Sequence, residues 1–192
     1  MLFLALSACS NKSDGALTGA AGNQAAAVRG TQELILDLEQ AKRSMRRVYL
    51  LSDELRSNPQ QVELTQELTL DETRPAMGLK GSYGLFASEA WWDNINSRRM
   101  PLRFVSGTII RAYEAGQDQE GVNNTVELRL SDGAAESVGI YVNDPRDVAL
   151  FKEGKYVMVV YAVDELKSGS HSLGNDQLEI ALEMAISVDQ EM

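Results

Sequence analysis

Between Leu178 and Val188 every second residue is apolar: Leu178, Ile180, Leu182, Met184, Ile186 and Val188. Side chains on an extended chain alternate between two faces, whereas a helix repeats every 3.6 residues. Eleven residues in strict period two therefore specify a strand with one buried face, even though Ala181, Glu183 and Ala185 are good helix formers. A single strand has no stability of its own, so the rest of the C-terminal half must supply partners. Leu102 to Tyr113 is rich in β-formers and carries Gly107 where a strand can bend. Val126, Leu128 and Leu130 alternate with Glu127 and Arg129, the turn Asp132-Gly133 follows, and Val138, Ile140 and Val142 return. Asn143-Asp144-Pro145 opens a short helix, with a capping side chain, proline at the first position and Asp147 in the first turn. That helix ends near Gly154, and Tyr156 to Val163 is an almost continuous apolar run, read as a buried strand.

The order strand, strand, strand, helix, strand, strand, with a glycine in the first strand, resembles the OB-fold over about residues 102–188. The resemblance implies a five-stranded OB-fold-like β-barrel in residues 101–190, with one short helix between strands 3 and 4. It also implies a ligand face on the second and third strands, flanked here by the polar, acidic loops Glu114 to Asn124 and Asp164 to Asp176. Glu127, Arg129 and Tyr141 are the candidate contacts on that face; the alternative is that they are ordinary solvent-facing strand residues. A fold of this kind suggests an architecture and says little about function.

Upstream, Leu34, Leu38, Ala41, Met45, Val48 and Leu55 recur at spacings of three, four and seven, the stripe of an amphipathic helix over residues 31–58. Acidic residues lead it, Lys42, Arg43, Arg46 and Arg47 follow, and Asn58-Pro59 stops it. The basic cluster is either a solvated helix face or a contact for anionic headgroups or an acidic partner. The fold class expected is therefore α+β, a long N-terminal helix followed by the β-barrel. Residues 59–100 connect the two. Within them Val62, Leu64, Leu68 and Leu70 suggest a short strand or an irregular crossing, and Ser88 caps a short helix through Trp91, Trp92 and Ile95. Neighbours on a helix point about 100° apart. Trp91 and Trp92 thus either both plug the end of the next domain or leave one ring as a binding surface, since exposed aromatics anchor interfaces.

The first residues carry an address. An apolar run from Leu2 leads into Leu6-Ser7-Ala8-Cys9, which resembles the lipobox of bacterial lipoproteins, where the cysteine thiol receives diacylglycerol before cleavage. The resemblance implies a signal peptide at residues 1–8, lipid attachment at Cys9, and a flexible tether over 9–30, whose small polar residues lack any hydrophobic period. The run is shorter than the roughly 7–15 residues of a signal core and has no basic residue before it, so the start codon is expected upstream. With Ser10 after the cysteine, the resemblance implies the periplasmic side of the outer membrane, held by acyl chains worth about 0.8 kcal/mol per buried CH₂.

Charge and residue usage exclude several functions. The net charge is −10, and residues from Pro101 onward hold 7 Lys/Arg against 16 Asp/Glu, so nucleic acid is not an expected partner. Cys9 is the sole cysteine, so no internal disulfide forms. His171 is the sole histidine and lies in a polar loop, and acid pairs such as Asp118/Glu120 and Asp144/Asp147 read as loop or capping residues. No catalytic set, metal-ligand spacing or cofactor loop is present in the sequence. The expected function is a membrane-tethered, non-enzymatic protein-binding or assembly module of the cell envelope, with an envelope protein as partner. The alternatives are an inhibitor or immunity-type lipoprotein that blocks a periplasmic hydrolase, and a glycan- or peptide-binding module.

Overall fold

The computed structural model describes residues 32–116, 121–167 and 176–188. The expectations resting on Leu6-Ser7-Ala8-Cys9, the tether, Asp118, Glu120 and His171 lie outside the described residues. Six strands form one antiparallel sheet: β1 (Met45–Leu50), β2 (Leu102–Tyr113), β3 (Thr125–Arg129), β4 (Ala135–Gly139), β5 (Tyr156–Glu165) and β6 (Gln177–Ser187), in the order β1-β6-β5-β2-β3-β4. The alternating segment expected to be the last strand is β6, and it sits inside the sheet with β1 and β5 on either side.

Two expectations are corrected. The long helix expected over residues 31–58 is absent from the described residues 32–58, because Met45–Leu50 pairs as a strand with β6, Met45 opposite Ser187 and Leu50 opposite Glu183. The helical stripe was a coincidence of spacing: Leu34 is 63% exposed, while Leu36, which lies off the stripe, is buried. Val48 and Tyr49 are β-formers, and a bulge between Arg47 and Tyr49 lets both be buried in succession. The second correction concerns the five-stranded barrel. The edge of β6 is occupied by this sixth strand from the N-terminal half, and β1 and β4 are the ends of the strand order. The chain beyond β4 meets β1 at Asn143, whose N–H donates to the Val48 carbonyl at 2.9 Å. Its side-chain amide accepts from the Leu50 N–H at 2.7 Å and donates to the Leu50 carbonyl at 3.1 Å.

Asn58-Pro59 divides two helices rather than ending one: α1 (Leu51–Ser57) stops there, and α2 (Pro59–Leu70) starts with the proline in its first turn, where a missing N–H costs nothing. The segment expected as a strand or crossing is thus helical, in keeping with its Gln, Glu and Leu content. α3 (Glu89–Asn96) begins as expected at Ser88, whose Oγ accepts from the Trp91 N–H at 3.3 Å. The helix after Asp144 is a 3₁₀ turn, Pro145–Leu150, with the Asp144 carboxylate accepting from the Arg146 N–H.

The sheet uses its two faces differently. On one face Val105, Ile109, Val126, Leu128, Val157 and Val159 are buried in the main core. The other face is covered only in part. Over β5 and β6 it is roofed by the segment before β1, whose Ile35 and Leu36 N–H groups donate to the buried Glu183 carboxylate. α3 completes the roof, with the Trp91 indole donating to the buried Asp164 carboxylate at 2.8 Å. Over β2 and β3 the same face carries exposed and half-buried side chains.

Candidate protein-binding face

Along β2 the residues opposite the core are Phe104, Ser106 and Thr108, alternating with the buried Val105 and Gly107. Thr108 lies opposite Arg129 of β3, and Ser106 and Thr108 lie opposite Met158 and Tyr156 of β5. These pairings carry the outward residues of three strands onto one surface. Phe104 is 57% exposed, a large aromatic ring set on a strand interior rather than in a loop. Beside it a shallow cavity of about 290 Å³ is lined by Ser106, Thr108, Ile110, Arg129 and Tyr156.

Gly107 sets how closely β2 and β3 approach here. A Cβ at this position would stand 2.6 Å from the Arg129 carbonyl oxygen, so only glycine admits the strand crossing that presents Arg129. A bulge between Ile109 and Arg111 then brings Arg111 opposite Glu127, with its Nε 3.4 Å from the carboxylate. The Arg111 guanidinium lies 4.3 Å above the Tyr113 ring, whose hydroxyl is 3.2 Å from the Ser137 hydroxyl. Across the face, the Arg43 guanidinium lies 3.9 Å above the Tyr156 ring. Stacking on a ring holds a long side chain in place while leaving N–H groups turned outward. Arg129 is exposed and has no ion-pair partner among the described residues. Among the described residues the face therefore holds three arginines and one glutamate, a local excess of positive charge on a chain whose net charge is −10.

Of the residues singled out from sequence, Glu127 and Arg129 lie on this face. Tyr141 does not. It packs against Tyr49 at 5.6 Å and edge-on to Tyr161 at 6.2 Å, and its N–H faces the Met184 sulfur at 3.4 Å. Burial pushes the Tyr141 and Tyr161 phenols above their ordinary range. Trp91 and Trp92 are both fully buried, with rings 4.8 Å apart in an edge contact, so neither is presented at the surface. Arg103, on the core side of β2, bridges Glu136 of β4 and Glu179 of β6 and ties together two strands that share no ladder. Sequence reasoning missed Phe104, Arg111 and Tyr156, and it offered Arg43 only as one of a basic cluster on a helix. The signal for the first was present, since Phe104-Ser106-Thr108 alternates with Val105-Gly107-Ile109. The helical reading of its segment hid only the place of Arg43, above the Tyr156 ring.

The negative charge gathers elsewhere. Residues 51–72, which comprise α1, α2 and the turn that follows, hold six Asp/Glu and one Arg. α2 buries one residue, Val62, and leaves Leu64 and its last residue Leu70 exposed.

No curated protein matches the chain. A family model described as immunity protein RhsI2 matches residues 45–187. The match runs from the first residue of β1 to the last of β6, and takes in α1, α2, α3 and all of the exposed face except Arg43. With about three-quarters of the sequence and the whole sheet inside that match, the chain belongs to the RhsI2 immunity protein family.

Proposed function

We propose that the protein protects its cell by binding a toxin and blocking it, acting as a folded inhibitor without turnover. The observation that carries this reading is the family match over residues 45–187. It favours the inhibitor alternative drawn from sequence over the envelope-assembly module, which has no comparable support. A sheet with a rigid, partly apolar face suits stoichiometric binding, because little ordering is required when the partner arrives.

The same proposal includes the address. Cys9 carries the acyl chains that hold the inhibitor on the periplasmic side of the membrane, where an incoming toxin meets it first. Leu6-Ser7-Ala8-Cys9 and the small polar residues after it support this part, and both precede the matched region. The test is co-expression of the full chain with toxin domains cloned from the same genome. Growth rescue by the chain, together with a stoichiometric complex of the purified pair, is the expected result. Failure to protect against any of them would overturn the inhibitor reading. Incorporation of a labelled fatty acid that disappears in Cys9→Ser tests the anchor separately, and an unlabelled wild-type protein would remove it.

A further inference from the structure

Resting on the inhibitor reading above, we propose that the toxin docks on the exposed face of β2, β3 and β5, and that the docked surface of the toxin is acidic and partly apolar. Two surfaces of the molecule compete for this role. The acidic helices α1 and α2 would suit a basic toxin, and that is the partner the overall charge suggests. The sheet face has the opposite sign and a different composition.

The composition decides between them. Interface centres are enriched in Arg, Tyr, Phe and Met and depleted in Glu, Asp and Lys. The sheet face presents Phe104, Met158, Tyr156, Arg43, Arg111 and Arg129, whereas α2 presents glutamates and two leucines on an otherwise solvated helix. Preorganisation points the same way. Arg43 and Arg111 rest on the rings of Tyr156 and Tyr113, so their side chains lose less freedom on binding than the exposed glutamates of α2 would. Phe104 supplies an apolar anchor, and the cavity lies beside Arg129, whose guanidinium has no ion-pair partner among the described residues. A planar guanidinium recognises carboxylates through two parallel N–H bonds, which defines the partner group as a glutamate or aspartate beside an apolar side chain. Since the chain carries a net charge of −10, the positive face stands out against an acidic whole, and the charge pattern favours an encounter through it.

The experiment uses the full chain and a catalytically inactivated form of the toxin that it protects against. Affinity is measured for the wild type, Arg129→Glu, Phe104→Glu and the α2 pair Glu63→Lys with Glu67→Lys, each first shown to melt at the wild-type temperature. Arg129→Glu and Phe104→Glu should each weaken binding by at least about 30-fold, the range of interface anchors, and the α2 pair should bind as the wild type does. A toxin carboxylate changed to lysine should restore binding to Arg129→Glu. Wild-type affinity in both sheet variants, with loss in the α2 pair, would overturn the proposal and move the site to the acidic helices. Absence of any wild-type complex would instead overturn the inhibitor reading and this proposal with it.

Discussion

Arg47→Met removes the cation from a carboxylate that has no exposure to water. Glu183 is fully buried, and the Arg47 side chain is 20% exposed, with its Nε 3.0 Å from Glu183 Oε2. The same carboxylate accepts from the N–H groups of Ile35 at 2.5 Å and Leu36 at 3.3 Å, while Arg47 Nη2 donates to the Leu36 carbonyl at 3.0 Å. The pair thus clamps both polar backbone groups of Leu36 and holds the segment before β1 against the sheet. Methionine retains most of the apolar stem, so the loss is electrostatic rather than steric. Breaking a buried ion pair from one side costs about 3–5 kcal/mol, and water reaching the site through the exposed fifth of Arg47 puts this case near 3–4 kcal/mol. At about 2–4 °C per kcal/mol for a chain of this size, the melting temperature should fall by about 6–16 °C. Thermal unfolding followed by circular dichroism measures it, and faster hydrogen exchange at the Ile35 and Leu36 amides should accompany it. Adding Glu183→Gln removes the unpaired charge, so the double variant should recover at least about 1 kcal/mol relative to the sum of the two single changes. A melting temperature for Arg47→Met within about 2 °C of wild type, or strict additivity in the double variant, would refute the clamp.

The remaining predictions concern other parts of the fold. Gly107→Ala forces β2 and β3 apart against the Arg129 carbonyl and should cost about 1–3 kcal/mol by thermal unfolding; a neutral outcome would mean that the strands can shift freely. Trp91→Phe and Trp92→Phe delete the same ring atoms, yet the first strips a donor from the buried Asp164 carboxylate while Trp92 Nε1 has no partner among the described residues. Trp91→Phe should therefore be the worse by about 1–3 kcal/mol, and equal costs would show that the Asp164 bond contributes nothing. Burial holds the Asp164 carboxyl above its ordinary range, only partly offset by Trp91 and the Glu165 N–H. A raised folded-state value gives stability that is fully present below the unfolded value and is lost as pH rises through the folded one, so Asp164→Asn should flatten the fall in stability as pH rises above the ordinary carboxylate range. Asp144 behaves oppositely: its hydrogen bonds from the Arg146 side chain and N–H lower it to about 2. Its contribution is present above the unfolded value and lost as pH falls through about 2, and Arg146→Ala should return the NMR titration of Asp144 towards the ordinary range.

Local signals were legible in the sequence wherever one residue's chemistry decided the backbone. Period two located β6, Ser88 capped α3, and Asp144-Pro145 opened the 3₁₀ turn. What could not be read was which segment would take the edge of β6. Met45–Leu50 is short, carries two arginines, and becomes a strand because β6 offers an unpaired edge and Glu183 offers Arg47 a buried partner, both more than 130 residues away in sequence. Six apolar residues at helical spacing were a weaker determinant than that long-range pairing. The site was half legible for the same reason. Glu127 and Arg129 were visible as outward residues of β3, but Arg43 reaches the Tyr156 ring only because its segment leads into β1 at the edge of β6 rather than forming a helix.

The division of the sheet's outer face links stability and binding in a way that can be separated by substitution. One half is consumed by the fold: the segment before β1 and α3 cover β5 and β6, and two carboxylates, Glu183 and Asp164, are buried to fasten them. Among the described residues those fastenings leave the outer side of β2 and β3 largely uncovered, and the side chains there carry the opposite charge from the chain as a whole. A surface that merely lacked cover would need no particular sign, and random drift in so acidic a chain would favour carboxylates. Three arginines, two of them stacked on tyrosines, argue instead for a surface shaped by a partner. It follows that Arg129 and Phe104, which fasten nothing, should alter binding while leaving the melting temperature in place. Arg47 and Trp91 should do the reverse until the domain itself unfolds.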